Sequence, residues 1–153
     1  MKKNFKRTLG ISLFILLSGC EQNTDIALLS SYPAFGSCAI DTPQANVTLP
    51  SDQDFTVGGW AYDEKNKSIP DTLTLYLINE DTLKISTFPA TRGTKRPDVA
   101  AAFKLPKLIG SGFNSFISKN SLTPGTYQFV LIQTSRVTGV ISCNGLKHKI
   151  TIQ

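Results

Sequence analysis

Thr72-Leu-Thr-Leu-Tyr-Leu-Ile78 decides the fold class. Leu73, Leu75 and Leu77 fall on one side of an extended chain, with Thr72, Thr74 and Tyr76 on the other. That period of two, on β-branched, aromatic and leucine residues, is the mark of a strand with one buried face. The same pattern recurs in both directions. Thr82-Leu-Lys-Ile-Ser-Thr-Phe88 follows after an Asn79-Glu-Asp81 turn. Upstream, Phe55-Thr-Val-Gly-Gly-Trp-Ala-Tyr62 puts Phe55 and Val57 on one face, and its two glycines point to a bulge or a close backbone approach. Asn46-Val-Thr-Leu49 is a short strand stopped by Pro50. Downstream, Phe113–Ser118 and Thr126–Gln133 are extended, the second following a Pro124-Gly125 turn and grouping Tyr127, Phe129 and Leu131. Gly139–Cys143 and Lys147–Ile152 flank Asn144-Gly145, a tight-turn signal.

One stretch departs from this period. Pro97-Asp-Val-Ala-Ala-Ala-Phe103 has proline at an early position, an acid in the first turn and then alanines, so it predicts a short helix that ends before Pro106. Seven or eight strands with one helix and no strand–helix alternation make the chain all-β, a single immunoglobulin-like antiparallel β-sandwich. Neither a tandem repeat nor a low-complexity block interrupts it. Of the 153 residues, 38–153 form this domain and 20–37 read as a tether whose Ile26–Leu29 run either lies on the domain or leads away from it.

Residues 1–19 have the three parts of an export signal. Lys2 to Arg7 is basic, Gly10–Leu17 is apolar but too short to span a bilayer, and Ser18-Gly19 are small. The net charge of +5 owes four charges to Lys2, Lys3, Lys6 and Arg7, so the rest of the chain carries only +1 and a nucleic-acid partner is not expected. Leu17-Ser18-Gly19-Cys20 resembles the bacterial lipobox. That resemblance implies a diacylglyceryl group on the Cys20 thiol, cleavage before it and an acylated new amino terminus, which together hold a protein stably to a membrane. In enteric-type sorting an Asp after the cysteine retains the protein at the inner membrane, so Glu21 implies the outer one.

Cys38 and Cys143 remain. An exported chain meets an oxidising compartment, so the pair is expected as a disulfide joining terminal strands, the alternative being two separately buried thiols. Neither redox nor zinc spacings are present, and no metal or cofactor is expected.

Three segments carry a second resemblance: Gly59-Trp60-Ala61-Tyr62-Asp63, Arg96-Pro97-Asp98-Val99-Ala100-Ala101-Ala102-Phe103, and Ser111-Gly112-Phe113. With the Leu122–Tyr127 stretch after them, they look like an extracytoplasmic β-sandwich module of bacterial envelope proteins, over residues 50–135. The resemblance implies the fold and an accessory role without a general catalytic site. The residues have plain readings too. Trp60 reads as a core residue, or else as an exposed ligand platform. Phe113 belongs to the core, and Arg96 pairs with Asp63 or Asp98 to pin the helix to a sheet edge.

Chemistry is sparse. The lone histidine, His148, shares a face with Leu146, Ile150 and Ile152 and reads as a hydrogen-bonded core residue. No nucleophile elbow, phosphate-cradling loop or separated acid pair stands out, so an enzyme is not expected. Two functional classes follow. One is a non-catalytic binding or structural module of the envelope with a protein or glycan partner, using Arg92, Lys95 and Arg96 as a basic patch and Tyr62 as a stacking face. The other is a small inhibitor or exclusion lipoprotein that blocks a hydrolase such as a muramidase, a phage receptor or a rival system through Ala90–Arg96 or Ser135–Thr138.

Overall fold

The computed structural model describes residues 26–143 and 145–153. The export signal, Cys20, the first part of the tether and Asn144 of the tight-turn signal lie outside them. Nine strands are described: β1 Gly36–Thr42, β2 Val47–Leu49, β3 Phe55–Asp63, β4 Thr72–Asn79, β5 Ile85–Thr94, β6 Gly112–Ile117, β7 Gly125–Ser135, β8 Gly139–Ser142 and β9 Lys149–Ile152. They form one curled sheet in the order β1-β3-β6-β5-β4-β7-β9-β2, with β8 also on β7. The all-β class is what the alternation implied.

The curl happens within β5. Its first half pairs with β4, from Ile78↔Ile85 to Leu73↔Ala90. Its second half pairs with β6, starting at Thr91↔Asn114. Pro89, which has no N–H to give a ladder, sits beside this change of partner, and its carbonyl accepts from Ser115 Oγ at 2.9 Å. The strand corrects one expectation. The Ala90–Arg96 stretch, expected as a free partner-contacting segment, is largely strand: Phe88, Ala90 and Arg92 turn inward at alternate positions and the strand runs on to Thr94.

The two halves of the sheet enclose the core. Leu73, Leu75, Leu77, Phe129 and Leu131 meet Val57, Ala61, Phe113 and Ile117 from the facing half, each at most 2% exposed. Truncating one of these leucines to alanine typically costs about 2–5 kcal/mol. Gly59 marks the close approach its pair of glycines implied: a Cβ there would lie 2.0 Å from the Ala39 carbonyl oxygen, opposite the bulge between Ile40 and Thr42. Two pairings depart from the antiparallel hairpin pattern. β2 runs parallel to β9. And β8 and β9, which flank the tight-turn signal, do not pair with each other; both line up along β7, β8 at Ile132–Ser135 and β9 at Gly125–Gln128.

Cys38 of β1 and Cys143 after β8 form a disulfide with Cα atoms 5.8 Å apart, tying the two halves together. The tether's apolar run forms a helix that the sequence reading did not assign, α1 Ile26–Ser31. Six residues make no stable helix alone. Packing holds this one: Leu29 is buried against Ile78 and Ile132 on the outer face of the β4–β7 half. Pro33 ends it, and the carbonyls of Tyr32 and Pro33 accept from Ser142 Oγ and N. A second helix, α2 Pro97–Ala102, and a 3-10 turn, Pro106–Gly110, cover the opposite outer face.

Candidate functional site, the outer face of β1, β3 and β6

Strand parity builds this face. In β3, Val57, Gly59 and Ala61 point into the core, so Gly58, Trp60 and Tyr62 point outward. Trp60 therefore is not in the main core, and the reading of it as an interior residue is corrected. It sits half-buried in a separate cluster, where Tyr62, Val99 and Leu108 are buried beneath α2 and the 3-10 turn. Phe103, which caps α2 and is 40% exposed, meets Trp60 edge-on at 5.4 Å and Tyr62 at 5.2 Å. Trp60 and Tyr62 stack at 6.1 Å. Tyr62 is only 1% exposed, so the stacking surface assigned to it belongs instead to Trp60 and Phe103.

Arg96 frames the face. Its guanidinium grips Asp98 with two bonds, Nε–Oδ1 at 2.9 Å and Nη2–Oδ2 at 2.6 Å, and reaches Asp41 of edge strand β1 through Nη1 at 2.5 Å. This is the helix-to-edge pin, with Asp41 in the place expected of Asp63. The Asp98 side chain, hydrogen-bonded by Arg96, titrates down at about 2, and the same bond raises Arg96 above its ordinary value. The stem of Arg96 crosses Gly112, where a Cβ would sit 2.5 Å from the Thr94 carbonyl and 2.9 Å from Arg96 Cγ. Asn114 donates to Thr94 Oγ1 at 2.9 Å beside it, and Gly58 leaves the neighbouring position flat. Ion pairs this exposed contribute little stability individually, but bidentate geometry orders both partners.

Arg92 and Asp63 go elsewhere. Arg92 points inward from β5 and donates to the Ala61 carbonyl at 2.8 Å and to Gln133 Oε1 at 2.6 Å. Gln133, wholly buried, passes the link to the Tyr62 carbonyl, and its Nε2 lies 3.8 Å and 4.0 Å from the two disulfide sulfurs. No acid pairs with Arg92 among the described residues, and burial lowers its pKa to about 10. The expected basic patch of Arg92, Lys95 and Arg96 is thus corrected. Arg92 is an internal cross-brace and Arg96 is neutralised, which leaves Lys95 exposed. Asp63 is fully buried and closes its turn by accepting from Asn66 N at 3.0 Å and Asn66 Nδ2 at 2.7 Å. Burial acts to raise its pKa, but these bonds outweigh it and hold the carboxyl low.

Phe113 lies in the core at 1% exposed. His148, 8% exposed, shares a hydrogen bond at 2.9 Å with the Pro43 carbonyl and meets Phe129 edge-on at 4.9 Å. Ser135–Thr138 is a turn with Val137 91% exposed at its tip. Among the described residues no three His, Cys, Asp or Glu side chains converge as metal ligands. What the Trp60–Arg96 face can do is bind. It offers aromatic edges beside fixed carboxylates and amide groups on a rigid sheet, a combination suited to a polar ring or an extended partner. Sequence reasoning missed Asp41 and Phe103; strand parity on β3 would have moved Trp60 outward and pointed to both. No family model matches the chain, and no curated protein matches it either.

Proposed function

We propose that the chain is an exported, lipid-anchored, non-catalytic binding module of the bacterial cell envelope, held at Cys20 and engaging a protein or glycan partner. The disulfide carries this reading. A Cys38–Cys143 bridge across the two sheet halves suits an oxidising compartment, which the Lys2–Cys20 segment would deliver the chain to. The Trp60–Phe103–Arg96 face supports the binding role, and the resemblance of Gly59–Asp63, Arg96–Phe103 and Ser111–Phe113 to an envelope module agrees with it.

Crosslinking the lipidated protein in its native envelope tests the proposal. Wild type captures one envelope protein or glycan, and Trp60→Ala with Phe103→Ala loses it while far-UV circular dichroism shows the β-fold retained. Capture that survives both replacements places the binding site elsewhere. A turnover assay that finds hydrolysis of an envelope polymer contradicts the non-catalytic reading.

A further inference from the structure

The tether is short, and its length restricts which surface meets the membrane. From Cys20 to Ile26 there are six residue steps, so the sulfur lies within about 20 Å of the start of α1 even when the chain is fully extended. Ile26 packs on the Leu29–Ile78–Ile132 cluster over the outer face of the β4–β7 half and lines one pocket with Ile78 and Gln128. Two alternative orientations exceed that reach. With the Val137 tip down, Ile26 stands above seven residues of β7, from Gln128 to Ser135, or about 23 Å before the turn is added. With the Trp60 face down, two sheets about 10 Å apart and a helical layer on each side separate Ile26 from the lipid by roughly 30 Å.

We propose that the surface carrying α1 and the β4–β5 turn docks on the lipid bilayer, with Leu83 and Lys84 at its contact point and the Trp60–Arg96 face turned away. This rests on acylation of Cys20. The surface suits a lipid interface. Tyr76, Ile78, Val130 and Ile132 on this sheet face are covered by α1, so what the surface offers to lipid is the outer side of that helix and the turn at its end. At the end where the chain enters, Leu83 is 62% exposed with φ of +58°, a left-handed conformation costly for leucine and ordinarily given to glycine or asparagine. The turn thereby presents an apolar side chain to the outside. Lys84 and Lys147 flank this end without ion-pair partners among the described residues, Lys149 is paired with Glu80, and Asp81 is the further acid. Three cations against two acids suit an anionic headgroup layer weakly, so the apolar contact and the tether direct the docking.

The test uses the full acylated protein in phosphatidylethanolamine–phosphatidylglycerol vesicles. An environment-sensitive fluorophore is placed on Leu83→Cys, Val137→Cys or Phe103→Cys, with a quencher dissolved in the lipid. Intact mass of each preparation establishes the acyl group separately. The label at position 83 is expected to be quenched several-fold more than those at 137 and 103. Equal quenching at all three positions, or stronger quenching at 137 or 103, overturns the docking surface while leaving the anchor intact. Absence of acyl mass overturns the anchor, and the docking surface falls with it.

Discussion

Removing the disulfide by Cys38→Ala with Cys143→Ala is the most quantitative test of how this fold is held. The bridge closes a loop of 105 residues and links β1 of one sheet half to the end of β8 in the other. Loop-closure entropy for that length gives about 4.7 kcal/mol at 25 °C. A domain this size has about 5–15 kcal/mol in total, so between a third and nearly all of its stability is at stake. Trp60 is the only tryptophan and lies half-buried under α2, so its fluorescence reports unfolding in urea. With a urea slope of about 2 kcal/mol/M, the midpoint falls by roughly 2.3 M. The single variants should lose at least as much, since each leaves a free thiol beside Gln133 Nε2. A shift below about 0.5 M in the double variant would refute the reasoning, because the ladder to β3 and the Asp41–Arg96 bridge would then suffice to hold β1 without the crosslink.

Three further outcomes are expected. Arg92→Met removes the donors of two internal carbonyl acceptors, on Ala61 and Gln133, and costs about 2–4 kcal/mol in the same urea experiment; an unchanged midpoint means Arg92 braces nothing. Gly59→Ala drives a Cβ against the Ala39 carbonyl, where neither backbone can move freely, and lowers stability by about 1–3 kcal/mol or more, whereas Gly93→Ala meets no atom within 4 Å and suffers only from its φ of +104°. Burial lowers the His148 pKa from its ordinary 6.5, partly opposed by the Pro43 carbonyl, so the neutral ring belongs to the fold. The unfolded chain then takes up the proton first, and the contribution to stability, full above pH 6.5, is lost as pH falls through the folded value. His148→Gln flattens the stability–pH curve in that window; an unaltered slope assigns it to other groups.

Much of the body was legible in the residues. Alternation at Leu73, Leu75 and Leu77 located a central strand because burial on one face imposes a period of two. The Gly58-Gly59 pair located a close approach because only a missing Cβ admits the Ala39 carbonyl. Other parts were hidden for physical reasons. β5 changes partners midway, from β4 up to Ala90 to β6 from Thr91, and its inward position after Ala90 is the charged Arg92, which does not announce a buried face. A charged side chain such as Arg92 reads as surface, and only the carbonyls of Ala61 and the amide of Gln133, distant in sequence, make an inward position tolerable. Trp60 drew the interior reading from its size, although its parity with Gly58 and Tyr62 already placed it outside. Asp41 was not visible as a partner of Arg96 because 55 residues separate them.

Intact-mass analysis of the chain isolated from bacterial membranes bears most directly on the account. A mature polypeptide that starts at residue 20 and carries diacylglyceryl plus amide-linked acyl mass on that cysteine is the expected result. A chain that starts at any other residue, or has the bare polypeptide mass, contradicts it.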